Sequence, residues 1–303
     1  MDGIQERLIQ RLARHGFQAR LVASGHLEEL RREIAALRQA GILNEALYRR
    51  YLSDWQFDYA DRLPEARSLI VVAAPQPLTR LDFRWRGRPR QVVIPPTYPC
   101  DEDQRAIAIV AEELQSGSYR WLKAGLPKKL LAVRSGLSRY GRNNISYVDG
   151  MGSFYTIMVF VSDLQVTQDA WREATQMPEC AACQACLRSC PTHCIDPDRF
   201  VIHAERCLTF CNENSGAFPD WANGHNALVG CMRCQIVCPQ NRDRLRTEEI
   251  NEAFSEAEIA AILDGTGLER LPEKTRLTLA RLGLAGYCHD NILARNLRIL
   301  LEK

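Results

Sequence analysis

Cysteine spacing is the most chemically informative feature of this 303-residue chain. Cys180, Cys183, Cys186 and Cys190, the last followed by Pro191, form a CxxCxxCxxxCP run, and Cys231, Cys234 and Cys238, the last followed by Pro239, form a partial second copy. Such runs ligate 4Fe-4S clusters. Three cysteines at intervals of three wrap a loop around one corner of a cubane, while the next, followed by proline, points away and reaches the other cluster. By this rule cluster one takes Cys180, Cys183, Cys186 and the distant Cys238, and cluster two takes Cys190, Cys231, Cys234 and one further thiol. Cys207 is the choice for that place, with Cys194 and Cys211 as competitors, because an insertion breaks the second run and spacing alone does not separate the three. The chemistry implied is low-potential, one-electron transfer. CxxC pairs also serve structural zinc, but the two CP endings and the third cysteine of CxxCxxC fit iron-sulfur better. Cys100 and Cys288 lie apart from the module and read as packed thiols without chemistry.

A bare two-cluster module needs far fewer residues than this, so the remaining elements must position it and feed it. With 46% hydrophobic and 25% charged residues the chain is globular and long enough for two modest domains. Its 39 basic and 37 acidic residues nearly cancel, which excludes a global pull toward nucleic acid or anionic membrane. No run reaches the roughly 18 apolar residues of a membrane span, and the N-terminus is charged and amphipathic. A cytoplasmic protein with reduced, metal-ligating thiols is expected.

Amphipathic stretches at Gln5 to Arg14 and Leu27 to Arg38 read as helices. The apolar, β-branched run from Ser68 to Pro75 reads as a buried strand, Gln91 to Pro96 as a second strand, and the charged segment between them as a hairpin or surface loop. Asp101 to Gly117 opens with acids and closes on glycine, as a helix should. A further helix carries Pro127 near its first turn, and Phe154 to Leu164 predicts a central strand buried on both faces. Strands alternating with helices predict an α/β fold class: an α/β domain at residues 1–176, a ferredoxin-like module with two 4Fe-4S clusters at 177–245, and a short helical segment at 246–303. No GxGxxG loop follows a strand, which argues against a dinucleotide-binding unit, and no DxHxxG motif offers a histidine to cobalt.

The ordered blocks AVRSGLSRYGRNN at Ala132 to Asn144, GSFYTI at Gly152 to Ile157, the first cysteine run, AERCLTF and GCMRCQIVCPQN resemble the epoxyqueuosine reductase family and its wider kin, the reductive dehalogenases. The similarity runs from about Gly16 to about Arg246. It implies a nitroreductase-like α/β domain that binds base-off cobalamin, above a ferredoxin-like module whose nearer cluster reduces the cobalt. The cofactor-binding residues implied are Arg134, Ser135, Gly136, Leu137, Ser138, Gly141, Arg142, Asn143, Asn144 and Ser153. Gly136 and Gly141 would let the backbone approach a flat macrocycle, and Ser135, Ser138, Asn143 and Asn144 would offer hydrogen bonds to its amide arms. Read alone, the same loop is an ordinary helix ending, with Gly136 as C-cap and the asparagines as turn formers.

Two departures from that family matter. Its catalytic aspartate has no counterpart, since Leu122 falls near that position, and its C-terminal helical repeat domain is only partly represented. Tyr140 is the candidate proton donor, with Tyr147, Asp149 and Tyr155 near it in sequence, and Arg134 and Arg139 are candidates to hold an anionic substrate. The leading expectation is a cobalamin-dependent iron-sulfur reductase of a small molecule or modified base, served by an external low-potential donor of ferredoxin or flavodoxin type. The alternatives are an electron-transfer protein for a corrinoid or metalloenzyme partner, and a tRNA epoxyqueuosine reductase with a relocated proton donor. The last requires the basic stretches Arg84 to Arg90 and Arg276 to Arg298 to come together.

Overall fold

The computed structural model describes residues 3–99, 101–220 and 224–302, so Cys100 lies outside the described residues. The chain divides into two compact units. The first comprises Met1–Pro75, Glu102–Cys183 and Arg199–Val201, and the second Gln76–Asp101, Gln184–Asp198 and Ile202–Lys303. The described strands in chain order are β1 (Gln18–Ala23), β2 (Ser68–Pro75), β3 (Leu78–Trp85), β4 (Arg88–Ile94), β5 (Trp121–Lys123), β6 (Arg139–Tyr140), β7 (Ser146–Tyr147), β8 (Tyr155–Ser162) and β9 (Thr247–Ile250).

The first unit is a four-stranded sheet in the order β1-β2-β8-β5, with every neighbouring pair antiparallel. Its two central strands are the apolar runs anticipated from sequence, buried on both faces because alternate side chains enter different cores. Leu69, Val71, Ala73, Val159 and Val161 face a core that holds Leu30 and Ile34 of helix Leu27–Gln39 and Leu130 and Leu131 of helix Lys128–Arg134. Ile70, Val72, Met158 and Phe160 face the opposite core, with Leu8 and Leu12 of helix Ile4–Arg14 and Ile109 and Val110 of helix Asp101–Ser116. This is the α/β layering that the sequence predicts. The edge strand β1 was not anticipated: its six residues, QARLVA, alternate weakly, and it is held by pairing with β2, Leu21 opposite Ile70.

In the second unit β3 and β4 form a hairpin closed by Arg86 (φ 51°) and Gly87 (φ 71°), a left-handed pair whose twist suits a two-residue connection. The hairpin stands in the N-terminal part of the sequence, yet it packs with the C-terminal segment. After the cysteine module the chain returns as β9, parallel to β3, with Leu78 opposite Thr247 and Leu81 opposite Ile250. Helices Glu256–Leu263, Glu273–Arg281 and Ile292–Leu301 then bury Ile259, Leu279, Leu293 and Leu297 against Leu81, Phe83 and Ile94. Ser255 opens the first of them with a capping box, its hydroxyl accepting from Glu258 N while the Glu258 carboxylate accepts from Ser255 N. Among the described residues no helix is long and apolar enough to cross a membrane.

Candidate iron-sulfur site and cofactor loop

In the first unit, helix Lys128–Arg134 stops at Gly136, whose φ of 76° suits glycine. Gly136 N donates to Val133 O at 3.0 Å and Leu137 N to Ala132 O at 3.0 Å, a Schellman closure. Ser135 is wholly buried, and its Oγ donates to Ala132 O at 3.1 Å. Arg134 pairs with Glu33 at 2.6 Å and Glu29 at 3.1 Å, and Arg139 with Asp149 at 3.1 Å, so both charges already have partners within the fold. Leu137, Ser138, Tyr140 and Ser153 are buried. Ser138 Oγ makes no hydrogen bond of good geometry.

The turn between β6 and β7 is tightly bonded. Gly141 N donates to Ile145 O at 2.7 Å and Asn144 N to Gly141 O at 3.0 Å, with Asn144 left-handed at φ 58°. Asn143 Nδ2 donates to the Tyr147 hydroxyl at 3.0 Å, its Oδ1 accepts from Ile145 N at 3.2 Å, and Lys129 Nζ donates to Asn144 O at 3.0 Å. A Cβ on Gly141 would lie 2.6 Å from Tyr147 Cε2 and 2.7 Å from Asn143 Oδ1, so close approach dictates this glycine. Tyr140 meets Phe200 edge to face at 4.9 Å between centroids. Burial, reinforced by the negative Glu33, raises the Tyr140 phenol well above its ordinary range and keeps its proton on. Tyr155 shares a 2.7 Å hydrogen bond with Ser146 Oγ, and burial pushes its phenol up to about 12.

The same loop is joined to the first cysteines. Tyr140 N donates to Thr175 O at 3.0 Å, Met177 N to Tyr140 O at 2.7 Å and Cys180 N to Met177 O at 3.0 Å. Arg142 donates to three carbonyls, those of Cys180 at 2.6 Å, Cys183 at 3.2 Å and Ala181 at 3.4 Å. Leu122 sits on β5 opposite Val161, packed partly buried against the sheet core.

In the second unit Cys186, Cys190 and Cys194 are buried, with Cys207 and Cys234 packed beside them. Cys190 Sγ and Cys194 Sγ are 3.5 Å apart, and Cys194 also hydrogen-bonds Cys207. Those bonds from Cys194 hold Cys190 down at about 4, despite burial, and lower Cys207, while Cys194 itself is raised and stays a thiol. Asn226 Nδ2 donates to Cys231 Sγ at 3.3 Å, although burial still raises that thiol. Of the three candidates for the last place at cluster two, Cys194 and Cys207 lie in the group with Cys190, and Cys211 stands one helical turn beyond Cys207, its N–H donating to Cys207 O at 3.1 Å. None of the eleven cysteines among the described residues forms a disulfide. Among the described residues no group of three or more His, Cys, Asp or Glu side chains forms a ready single-ion cage.

A support that sequence reasoning missed lies behind these thiols. Asn212, wholly buried on helix Leu208–Glu213, exchanges two hydrogen bonds with Gly230, next to Cys231. Asn296, wholly buried on the last helix, donates to Asn212 O at 2.7 Å and Leu228 O at 2.9 Å, and its Oδ1 accepts from Arg295 at 2.9 Å. Arg295 also donates to Cys211 O at 3.1 Å and Asn214 O at 2.8 Å. Lone asparagines in helical segments carry no periodic signal, so nothing in the sequence marks these two.

Comparison with known proteins agrees with this arrangement. Residues 179–241 match the model of a 4Fe-4S double cluster binding domain. The epoxyqueuosine reductase of Aliivibrio fischeri is 31% identical over 145 residues, which cover 46% of this chain and 38% of that protein. That of Francisella cf. novicida is 28% identical over 190 residues, 56% of this chain and 52% of that protein. The chain thus spans about half the length of the curated relatives it matches, or less. The structure of epoxyqueuosine reductase from Streptococcus thermophilus superposes with a TM-score of 0.71 at 19% identity, covering 99% of this chain and 81% of that one. An epoxyqueuosine reductase solved with a tRNA-Tyr stem loop carrying epoxyqueuosine gives a TM-score of 0.67 at 20% identity, over 98% and 80% of the two chains. This chain contains a 4Fe-4S double cluster domain, has the fold of the epoxyqueuosine reductases and is related to them in sequence.

Proposed function

We propose that the chain is an iron-sulfur reductase of the epoxyqueuosine reductase type, acting on a modified base in tRNA. The observation that carries this reading is the stitching of the 134–153 loop to the turn that holds the first two cysteines, Cys180 and Cys183, through Tyr140, Met177 and Arg142. Cys180, Cys183, Cys186 and Cys238 would hold cluster one, and Cys190, Cys207, Cys231 and Cys234 cluster two. Cys207 takes the last place at cluster two, with Cys194, which packs in the same group, and Cys211, one turn further on, as the alternatives that ligand replacement would separate. A base-off cobalamin at the loop would supply a strongly reducing, nucleophilic metal centre for breaking the substrate bond.

The loop fits such a ligand in one respect: Ser138 Oγ is buried and makes no hydrogen bond of good geometry. Its own residues orient and donate. Asn143 and Asn144 are fixed by Tyr147 and Lys129, and Tyr140 keeps a proton on its phenol for delivery to the substrate. Arg86 and Arg298, from the two basic stretches, do come together, lining one cavity of about 350 Å³ with Trp85, but Asp264 and Glu302 line it too and offset their charge. A cytoplasmic setting, with an external ferredoxin- or flavodoxin-type donor, keeps the thiols reduced.

The test is anaerobic reconstitution with iron, sulfide and cobalamin, then incubation with a tRNA stem loop carrying epoxyqueuosine. Formation of the deoxygenated base supports the reading. Retained cobalamin without turnover of that base moves the substrate to another class, and failure to retain any corrinoid favours a pure electron carrier, the reading to which Leu122 in place of a carboxylate points.

A further inference from the structure

Arg142 commits its guanidinium to three backbone carbonyls of one short turn, Cys180 O at 2.6 Å, Cys183 O at 3.2 Å and Ala181 O at 3.4 Å. All of these groups belong to the first unit. The side chain starts from the most constrained part of the loop, between Gly141, which has no room for a Cβ, and Asn143, held at both ends of its amide. Its reach is therefore set by a fixed base.

The bonded carbonyls dictate where the amides point. The described chain has no cis peptide bond, and in a trans peptide the N–H lies opposite the C=O. Holding Ala181 O and Cys183 O toward the guanidinium turns the N–H groups of Ala182 and Gln184 to the other side. Neither of these N–H groups donates to a backbone carbonyl among the described residues, whereas Cys180 N and Ala181 N are used in the preceding turn. One such amide, Ala182 N–H, thus lies within the span of Cys180 and Cys183 and the other, Gln184 N–H, directly follows it, on the side away from a fixed cation.

We infer that Arg142 is a positioning residue for cluster one: it sets the Cys180–Cys183 peptide planes so that the Ala182 and Gln184 N–H groups are available to cluster sulfur, and its charge raises the cluster's reduction potential. The inference rests on the proposed ligation of cluster one by Cys180 and Cys183. Potentials of such clusters follow nearby charge and hydrogen bonds to sulfur, and reduction adds a negative charge that a cation stabilises. Lysine is a poor replacement, because a single ammonium head does not span three carbonyls as a planar fork does.

The experiment is a redox titration, followed by electron paramagnetic resonance, of the cluster-loaded wild type and of Arg142→Gln, Arg142→Met and Arg142→Lys, with iron counted first. Gln keeps an uncharged NH2 donor group, Met keeps neither donor nor charge, and Lys keeps the charge. The wild type should hold two cubanes. In the Gln and Met variants the equilibrium constant for reducing cluster one should fall about tenfold, ~59 mV for one electron, while cluster two titrates as in wild type. Lys should recover the part due to charge but not the wild-type spectrum of cluster one. A Met variant that loses cluster one and keeps cluster two also supports the inference, and the Gln variant then reads the potential. Wild-type potentials for cluster one in both Gln and Met variants, at full iron content, overturn it and leave the proposed ligation standing. A wild type that assembles no cubane overturns both.

Discussion

Replacing Asn296 by alanine should loosen the second cysteine segment from a distance. The amide donates two hydrogen bonds, to Asn212 O at 2.7 Å and Leu228 O at 2.9 Å, and accepts from Arg295 at 2.9 Å, in a position with no exposed surface. A neutral hydrogen bond is worth about 1 kcal/mol net, and a buried group stripped of its partner costs roughly 1–3 kcal/mol. Asn212 O retains a weak second donor in Arg295 at 3.4 Å, so the greater loss falls on Leu228 O. The expected total is about 2–3 kcal/mol. It is read by anaerobic guanidinium unfolding of the cluster-loaded protein, followed by circular dichroism and by visible absorption. Leu277→Ser, at a position 64% exposed on the same tail, serves as the control and should shift stability by less than about 0.5 kcal/mol. If Asn296→Ala unfolds like the control, the buttress holds nothing and the reasoning fails.

Other outcomes follow from the site. Tyr140→Phe should keep iron and cobalamin yet lose turnover by at least about a hundredfold, the scale of a general acid; unchanged turnover removes it as donor. Cys207→Ser should lose about four irons and Cys194→Ser none, and iron analysis showing the reverse would exchange their roles. Gly141→Ala should displace Tyr147 or Asn143, from which its Cβ would stand 2.6 and 2.7 Å, and weaken cobalamin retention about tenfold, ~1.4 kcal/mol, at full iron content. Retention equal to wild type would place the corrinoid elsewhere.

Much of the first unit could be read directly from sequence, because its central strands are apolar runs buried on both faces and its helices carry end signals. Gly136 was legible both as a candidate macrocycle contact and as a helix cap, and its Schellman closure is the local reason it is glycine. The charged segment ahead of Gln91 was legible as a hairpin or a surface loop but not as the paired strands Leu78–Trp85 and Arg88–Ile94, nor as a member of the second unit, since order along a chain says nothing of which hydrophobic face a segment finds. β9 was missed because its four residues, TEEI, carry two carboxylates and one strong apolar side chain, and pairing with β3 rather than propensity makes it a strand. The cysteine pattern was the strongest signal, because cubane ligation demands fixed spacing. Arg142 was legible as a basic residue in the loop but not by its targets: three peptide oxygens leave no mark in a sequence, since every residue has one.

The parallel pairing of β9 with β3 has a consequence for engineering. The metal-binding stretch runs into β9, which is held by pairing with β3, and a cut around the matched segment, 179–241, would discard both strands. It is therefore no portable cassette: transplanted alone, it would lack the strand pairing that holds its C-terminal end.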